Sequence, residues 1–351
     1  MKLFKVDELR GGEILAKAIM TEEFRVLLYE ETQLRPEYIN KIKELGVSEV
    51  YIKEDELVHA QAVVLLKEEV ENTFTEKIKT ILEKHTYSKN QELIELCQTA
   101  DSIITNILEE DEVVEKIYDI RERSSDIYEH SISSCSLATL TALKLGLSKE
   151  EVHDISVGCL LHDLGLRYLT IEYQNQPLEK LSKMELAEYR KHPVYGYVAL
   201  KDENWINETS KNIILYHHEH IDGSGYPLKA KDIPFATKIV SICDTFDEMI
   251  CGIGCNRYKV YEAVEYLKTY RGIYFDTKIT EIFLEFTAVY PVGSEVLLSD
   301  QSIGRVLRQN REFPDRPVVQ RIKGSDGKPP QKEEIVDLIK VNHLFIEKVL
   351  I

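Results

Sequence analysis

Apolar and polar positions change period several times along the chain, and each change predicts a different element. In residues 1–55 the pattern is mixed. Residues 25–29 (RVLLY) read as a short strand, 36–45 as a helix opened by Pro36 and stopped by Gly46, and 47–53 alternate as a second strand. This predicts a small α/β module, without clustered catalytic residue types, that serves packing or regulation. Over 56–115 apolar residues recur at three and four. Val70, Phe74, Ile78 and Ile81 form one stripe, and Leu93, Cys97, Ala100, Ile104 and Leu108 a second. Ser88, Lys89 and Asn90 predict the turn between them, and His59 and His85 are expected to face solvent. The two stripes suit core faces or a homodimer.

Over 116–290 the pattern stays helical and is heavily punctuated. One helix carries His130 early and stops at Gly146. Ser148 with Glu151 forms a capping box for the next, which carries 160–163 (LLHD) at its far end. Ser182 with Glu185 caps another that leads to His192, where Pro193 predicts a break. Further helices are expected over 207–218 and 238–250, the last with Ile239, Ile242, Cys243 and Phe246 inward and Asp244 and Asp247 alongside. Over 291–351 short strands at 296–298, 303–307 and 318–319 and a polar turn at 324–330 predict a small β-rich tail with no chemistry of its own. The expected fold class is mainly α: a helical bundle with a small α/β N-terminal module and a small β-rich C-terminal tail.

Charge narrows the function. The chain has 351 residues, with 44 basic against 61 acidic and a net charge of −17. That disfavours duplex nucleic acid and anionic membranes as partners. An anionic substrate would need local attraction, for which metal ions are well suited. The six cysteines are scattered, the start has no apolar stretch of the secretory kind, and no run reaches the length of a membrane span, so a cytoplasmic location is expected.

The chemistry concentrates in 217–227, HHEHIDGSGYP, where three of the chain's ten histidines fall within four residues. His217 and His218 would point about 100° apart on a helix, so adjacent imidazoles suit more than one target. The same region supplies Asp126, His130, His162, Asp163, His192 and Asp244. Imidazoles and carboxylates without thiolates suit iron, manganese or another first-row divalent ion. There are too many ligands for one ion, and Asp163, next to His162, is the natural bridge between two. Asp126 and His130, four apart, can share one helix face. Any one of these histidines alone would more often be structural; the number and the order of the set carry the case.

His162-Asp163 together with HHEHIDGSGYP resembles the HD-GYP family of bacterial cyclic dinucleotide phosphodiesterases over 120–290. The resemblance implies a helical HD domain with two or three metals that hydrolyses cyclic di-GMP to the linear dinucleotide and on to GMP. It implies metal ligands at His130, His162, Asp163, His192, His217, His218 and Asp244, a third-ion carboxylate at Asp126, and a substrate-facing loop with Gly223, Gly225, Tyr226 and Pro227. Two features depart from the family. Leu166 stands where a phosphate-contacting lysine is usual, and 251–255 (CGIGC) stands near the place of an arginine-bearing segment. Arg167, Arg257 and Lys259 are the nearby alternative cations. The departures predict slow turnover, with Leu166→Lys raising it unless burial makes the ammonium too costly. The alternatives are a catalytically weak module that binds metal and nucleotide and signals through a partner, or a phosphohydrolase for another nucleotide. The expected domains are 1–55, 56–115, 116–290 (HD-GYP) and 291–351.

Overall fold

The computed structural model describes residues 2–9, 13–20, 26–53, 63–84, 93–109, 113, 116–120, 123, 125–173, 176–310 and 313–350. The turn expected at 88–90, His59 and His85 lie outside the described residues. The chain falls into two compact units, 1–59 with 122–124, and 60–121 with 125–351.

The first unit contains β1 (Lys2–Lys5), β2 (Ile19–Met20), β3 (Val26–Leu28), α1 (Pro36–Glu44) and β4 (Glu49–Ile52). β1 pairs antiparallel with β4, and β2 with β3. Pro36 opens α1, whose Ile39 and Ile42 pack with Leu15, Leu34, Val50 and Ile52 into a core of their own. The pattern of 1–55 did not announce β1 or β2.

The second unit opens with α2 (Glu68–Lys84) and α3 (Ile94–Leu108). Their main apolar faces lie in the chain's main core. In α3 the buried stripe is Leu93, Leu96, Ala100, Ile103 and Ile107, while Cys97 and Ile104 are only partly buried and Leu108 is 46 % exposed. The expected stripe took steps of four too often and drifted off the face; steps alternating between three and four stay on it.

α4 (Ile127–Lys144) is the central helix, buried on every side from His130 to Ala142. Its sequence is rich in small residues, which lets α5 (Lys149–Leu161) and α9 (Phe235–Cys251) approach closely. The buried hydroxyls of Ser136 and Thr141 donate to the carbonyls of Ile132 and Leu137 at 2.8 and 2.7 Å, so no polar group is stranded. The Ser148–Glu151 capping box opens α5, and the Ser182–Glu185 box opens α6 (Lys183–Tyr189). Between them a 3-10 segment runs over His162–Tyr168. α7 (His192–Leu200) starts afresh at the break expected before Pro193, and Asn207 caps α8 (Glu208–Tyr216). α10 (Val260–Tyr270) and α11 (Thr277–Phe286) follow. Among the described residues no helix is long and apolar enough to cross a membrane.

The tail is a five-stranded antiparallel sheet in the order β8–β7–β6–β5–β9, with β5 at Glu295–Leu298, β6 at Ile303–Arg308, β7 at Val318–Lys323, β8 at Ile335–Asp337 and β9 at Ile346–Val349. Val296, Leu298, Val306, Val319 and Leu338 form its core. Asp119 ties this sheet to the helices. Its carboxylate accepts from Val63 N, Val292 N and Gln309 Nε2 at 3.0, 2.7 and 2.8 Å.

Candidate metal centre

Five elements deliver ligand-type side chains to one point. His130 comes from the first turn of α4, His162 and Asp163 from the junction of α5 with the 3-10 segment, and His192 from the start of α7. His217 and His218 follow the last turn of α8, and Asp244 lies mid-way along α9. Two groups result, each with its ligand atoms within 4.8 Å of one another: His130, His162 and Asp244, and Asp163, His192, His217 and His218. Asp163 stands between them. Its Oδ1 is 3.3 Å from His192 Nε2 and 3.8 Å from His217 Nε2; its Oδ2 is 3.5 Å from His162 Nε2 and 3.9 Å from His130 Nε2.

The ring orientations follow from local backbone. His162, His192 and His217 each place Nδ1 on the carbonyl three residues back, of Cys159, Tyr189 and Ile214, at 2.5, 2.9 and 3.0 Å. A carbonyl only accepts, so each Nδ1 carries the hydrogen and each Nε2 faces inward. His130 does the same with a carboxylate, its Nδ1 lying 2.9 Å from Asp247 Oδ2. Nε2 atoms then meet head-on, His192 to His217 at 3.2 Å and His130 to His162 at 3.3 Å. Between the neutral rings of His192 and His217 these are lone pairs opposed at contact distance, an arrangement that a cation between them relieves; at the other couple Asp244 Oδ1 lies 3.1 Å from both Nε2 atoms. Among the described residues, His218 Nε2 and Asp244 Oδ2 are buried with no hydrogen-bond partner. Orphaned buried atoms are costly unless something else satisfies them, and both are of the kinds that coordinate divalent metals. The donor set therefore fits divalent ions.

Electrostatics divides the imidazoles. Burial opposes charge on His130, yet hydrogen bonds donated to Asp244 and Asp247 raise its pKa well above the ordinary value. His162 is likewise raised against burial by the charges of Asp163 and Asp244. Burial pushes His192 and His217 down to about 3, and His218 well below its usual range. Asp244 is held well below the carboxylate range despite its burial, chiefly by the charge of His162 and its bonds to His130 and His162. Groups so strongly perturbed in one place mark a functional site.

The remaining expected residues divide. Asp126 is outside the tight groups; it caps α4, its Oδ1 accepting from Tyr128 N and Glu129 N at 2.8 and 3.0 Å. Arg167 shares a small cleft with Asp163, Ser131 and Tyr128. Arg257 points elsewhere, its Nε and Nη2 donating to Cys251 O at 3.4 and 3.3 Å. Lys259 caps α10. Leu166 is only 2 % exposed, the condition under which a lysine there becomes costly. In the glycine-rich loop, Gly223 has φ +82°, while a Cβ on Gly225 would come within 2.4 Å of His218 O and 2.5 Å of Glu219 Cα. The space at Gly225 is thus used for packing the loop on its own chain. Tyr226 stacks on His218, with ring centroids 4.6 Å apart. His220 is half-buried and stacks on Tyr274 at 4.1 Å, outside the ligand groups. All six cysteines are free thiols; Cys251 Sγ donates to Asp247 Oδ2 and Cys255 Sγ to Glu248 O.

Sequence reasoning passed over four residues. Asp247 orients His130, and Glu248 groups with His218 and Asp244. Buried Glu219 holds the loop by accepting from Leu228 N and Ala230 N. Arg190 lies over Tyr226. The available signals were weak: Asp247 lies one turn beyond Asp244, and Arg190 two residues before His192.

Comparison with known proteins shows what these features are similar to. Residues 111–279 match an HD domain, and 295–351 match a KOW domain associated with the HD domain. A cyclic di-GMP phosphodiesterase of Pseudomonas aeruginosa is 30 % identical over 62 % of this chain and 54 % of its own length. One from Thermotoga maritima is 28 % identical over 80 % of this chain and 76 % of its own. The chain thus spans about half the length of the Pseudomonas protein. A solved structure from Bdellovibrio bacteriovorus, described as an HD-GYP protein, shares the fold at TM-score 0.55 and 20 % identity, covering 80 % of this chain and 97 % of that one. The His-Asp pair and the histidine cluster thus come to one point inside a segment that matches an HD domain, and over that segment the chain is similar to proteins named cyclic di-GMP phosphodiesterases.

Proposed function

We propose that this chain hydrolyses a cyclic dinucleotide, cyclic di-GMP foremost, to the linear dinucleotide and on to GMP. The observation that carries the reading is the pair of facing Nε2 couples on either side of Asp163, with His218 Nε2 and Asp244 Oδ2 orphaned beside them. His130, His162 and Asp244 would hold one ion, His192, His217 and His218 a second, and Asp163 would bridge. Divalent ions, of which iron and manganese suit the nitrogen and oxygen donors, supply Lewis acidity toward the phosphodiester and lower the pKa of water. The chain's own part is to hold the ligands rigidly, exclude water behind them and keep Asp163 central; Arg167 lies in the cleft beside it to meet phosphate. The names of the relatives support the substrate class. Elemental analysis of protein loaded with iron or manganese should find at least two ions per chain; one or none, even after loading, contradicts the paired site.

Asp126 is proposed as the carboxylate for a third ion, its Oδ1 capping α4 and its other oxygen free for the metal. Asp126→Asn keeps a capping oxygen, so it should lower the ion count by one without shifting the melting temperature by more than about 2 °C. An unchanged count makes Asp126 a helix cap only. The same reading includes a functional division into 1–55, 56–115, 116–290 and 291–351, and a cytoplasmic location. A homodimer would need a face other than the buried stripes of α2 and α3.

A second reading, a catalytically weak module that binds metal and nucleotide for signalling, is favoured by one observation: position 166 carries a buried leucine and offers no cation.

Asp247 is assigned a positioning role. It accepts from His130 Nδ1 and from Ser133 Oγ, so it fixes which ring nitrogen of His130 faces the centre. Asp247→Asn should weaken metal binding roughly 10- to 100-fold, the usual cost of losing such a partner. Competition with a chelator measures it, and affinity within twofold of the parent contradicts the assignment.

A further inference from the structure

We infer that Arg190 is the cation that receives the second phosphate of the cyclic dinucleotide. This inference rests on the proposed function above.

A cyclic dinucleotide carries two phosphates, and only one can be at the ligand cluster when it is cut. The second must be met nearby by positive charge, in a protein whose net charge is −17. Leu166 supplies none. Arg257 is bonded to Cys251 O, and Lys191 is paired with Glu188 at 2.8 Å. Arg167 stands on the α4 side, in the cleft with Tyr128, Ser131 and Asp163.

Arg190 lies in the link between α6 and α7. Its side chain is exposed, and its guanidinium lies 5.4 Å from the centroid of the Tyr226 ring. Among the described residues it has no ion pair and no side-chain hydrogen bond. Tyr226 is itself fixed, stacked on His218 at 4.6 Å and edge-on to His192 at 6.2 Å. Arg190 is therefore one aromatic ring away from two of the ligand histidines. A guanidinium held over a ring at this distance spends none of its N–H groups on a side-chain acceptor, and those N–H groups form the fork that matches a phosphate. The loop tyrosine thus acts as a platform that holds an otherwise unengaged arginine beside the centre. The tyrosine of the glycine-rich loop and the arginine two residues before His192 become one device, which neither stretch shows alone.

The test is steady-state hydrolysis of cyclic di-GMP by metal-loaded full-length protein, with Arg190→Ala and Arg190→Lys beside the parent. Losing a charge-assisted phosphate contact corresponds to roughly a ten- to hundred-fold effect. For Arg190→Ala we expect KM to rise by that factor, with kcat within about threefold, metal content unchanged and a shallower dependence of KM on salt. Arg190→Lys should recover part of the loss, because it restores charge but not the fork. A parent that turns over the dinucleotide while Arg190→Ala keeps KM within twofold overturns the inference and leaves the proposed function standing. A loaded parent that does not turn it over overturns the proposed function, and this inference with it.

Discussion

Asp163→Asn is expected to reduce turnover of cyclic di-GMP by on the order of 10³-fold or more, and to drop the metal content below two ions per chain. Asp163 reaches both halves of the centre. The two carboxylate oxygens face different histidine groups, Oδ1 toward His192 and His217, Oδ2 toward His162 and His130. Asparagine has nearly the same shape, so the fold should persist. It lacks the negative charge, however, and turns an amide donor toward one group where an acceptor is required. The side chain is 11 % exposed, so solvent cannot make good the loss. Elemental analysis and product chromatography on the same preparation check this. Two ions with turnover within tenfold of the parent would show that Asp163 does not bridge.

Gly165→Ala is expected to lower the thermal midpoint by roughly 10 °C or to prevent folding of the helical unit. A Cβ at this position would lie 1.8 Å from His192 O and 2.7 Å from Gly196 N. Both are backbone atoms of α7, so no side chain can swing aside. Either the 3-10 segment or α7 must move, and each carries a ligand. Overpacking of this kind costs about 1–3 kcal/mol, and more where backbone must shift. For a unit of this size each kcal/mol is worth about 2–4 °C. Circular dichroism against temperature measures it; a midpoint within about 2 °C of the parent would mean that α7 yields without strain.

How far the sequence announced this structure depends on the range of the interactions involved. Local rules were sufficient for the helix starts. Ser148 with Glu151 and Ser182 with Glu185 form the expected boxes because capping needs only four consecutive residues. Pro193 likewise marked the start of α7. The ligand set could be collected from residue type and order, since metal chemistry restricts the choice to few residues. Cross-chain distances were not legible. Asp247 matters because α4 brings His130 within 2.9 Å of it, and Arg190 because the loop folds Tyr226 beneath it. The α3 stripe was misplaced because both candidate faces carry apolar residues, and the neighbouring α2, α4 and α5 decide which is buried. Strands β1, β8 and β9 are three or four residues long and polar on one face, too brief for alternation to stand out. His220 reads as one more exposed imidazole until Tyr274, from a distant segment, stacks on it.

The central claim is that the histidine–aspartate cluster is a paired-metal phosphodiesterase centre, and product analysis with cyclic di-GMP tests it most directly. Protein loaded with manganese or iron should convert cyclic di-GMP to the linear dinucleotide and GMP. Conversion should stop on chelation, return on reloading, and be lost in Asp163→Asn. Intact cyclic di-GMP recovered from protein shown to hold two ions per chain would contradict the account and leave the signalling module as the better description.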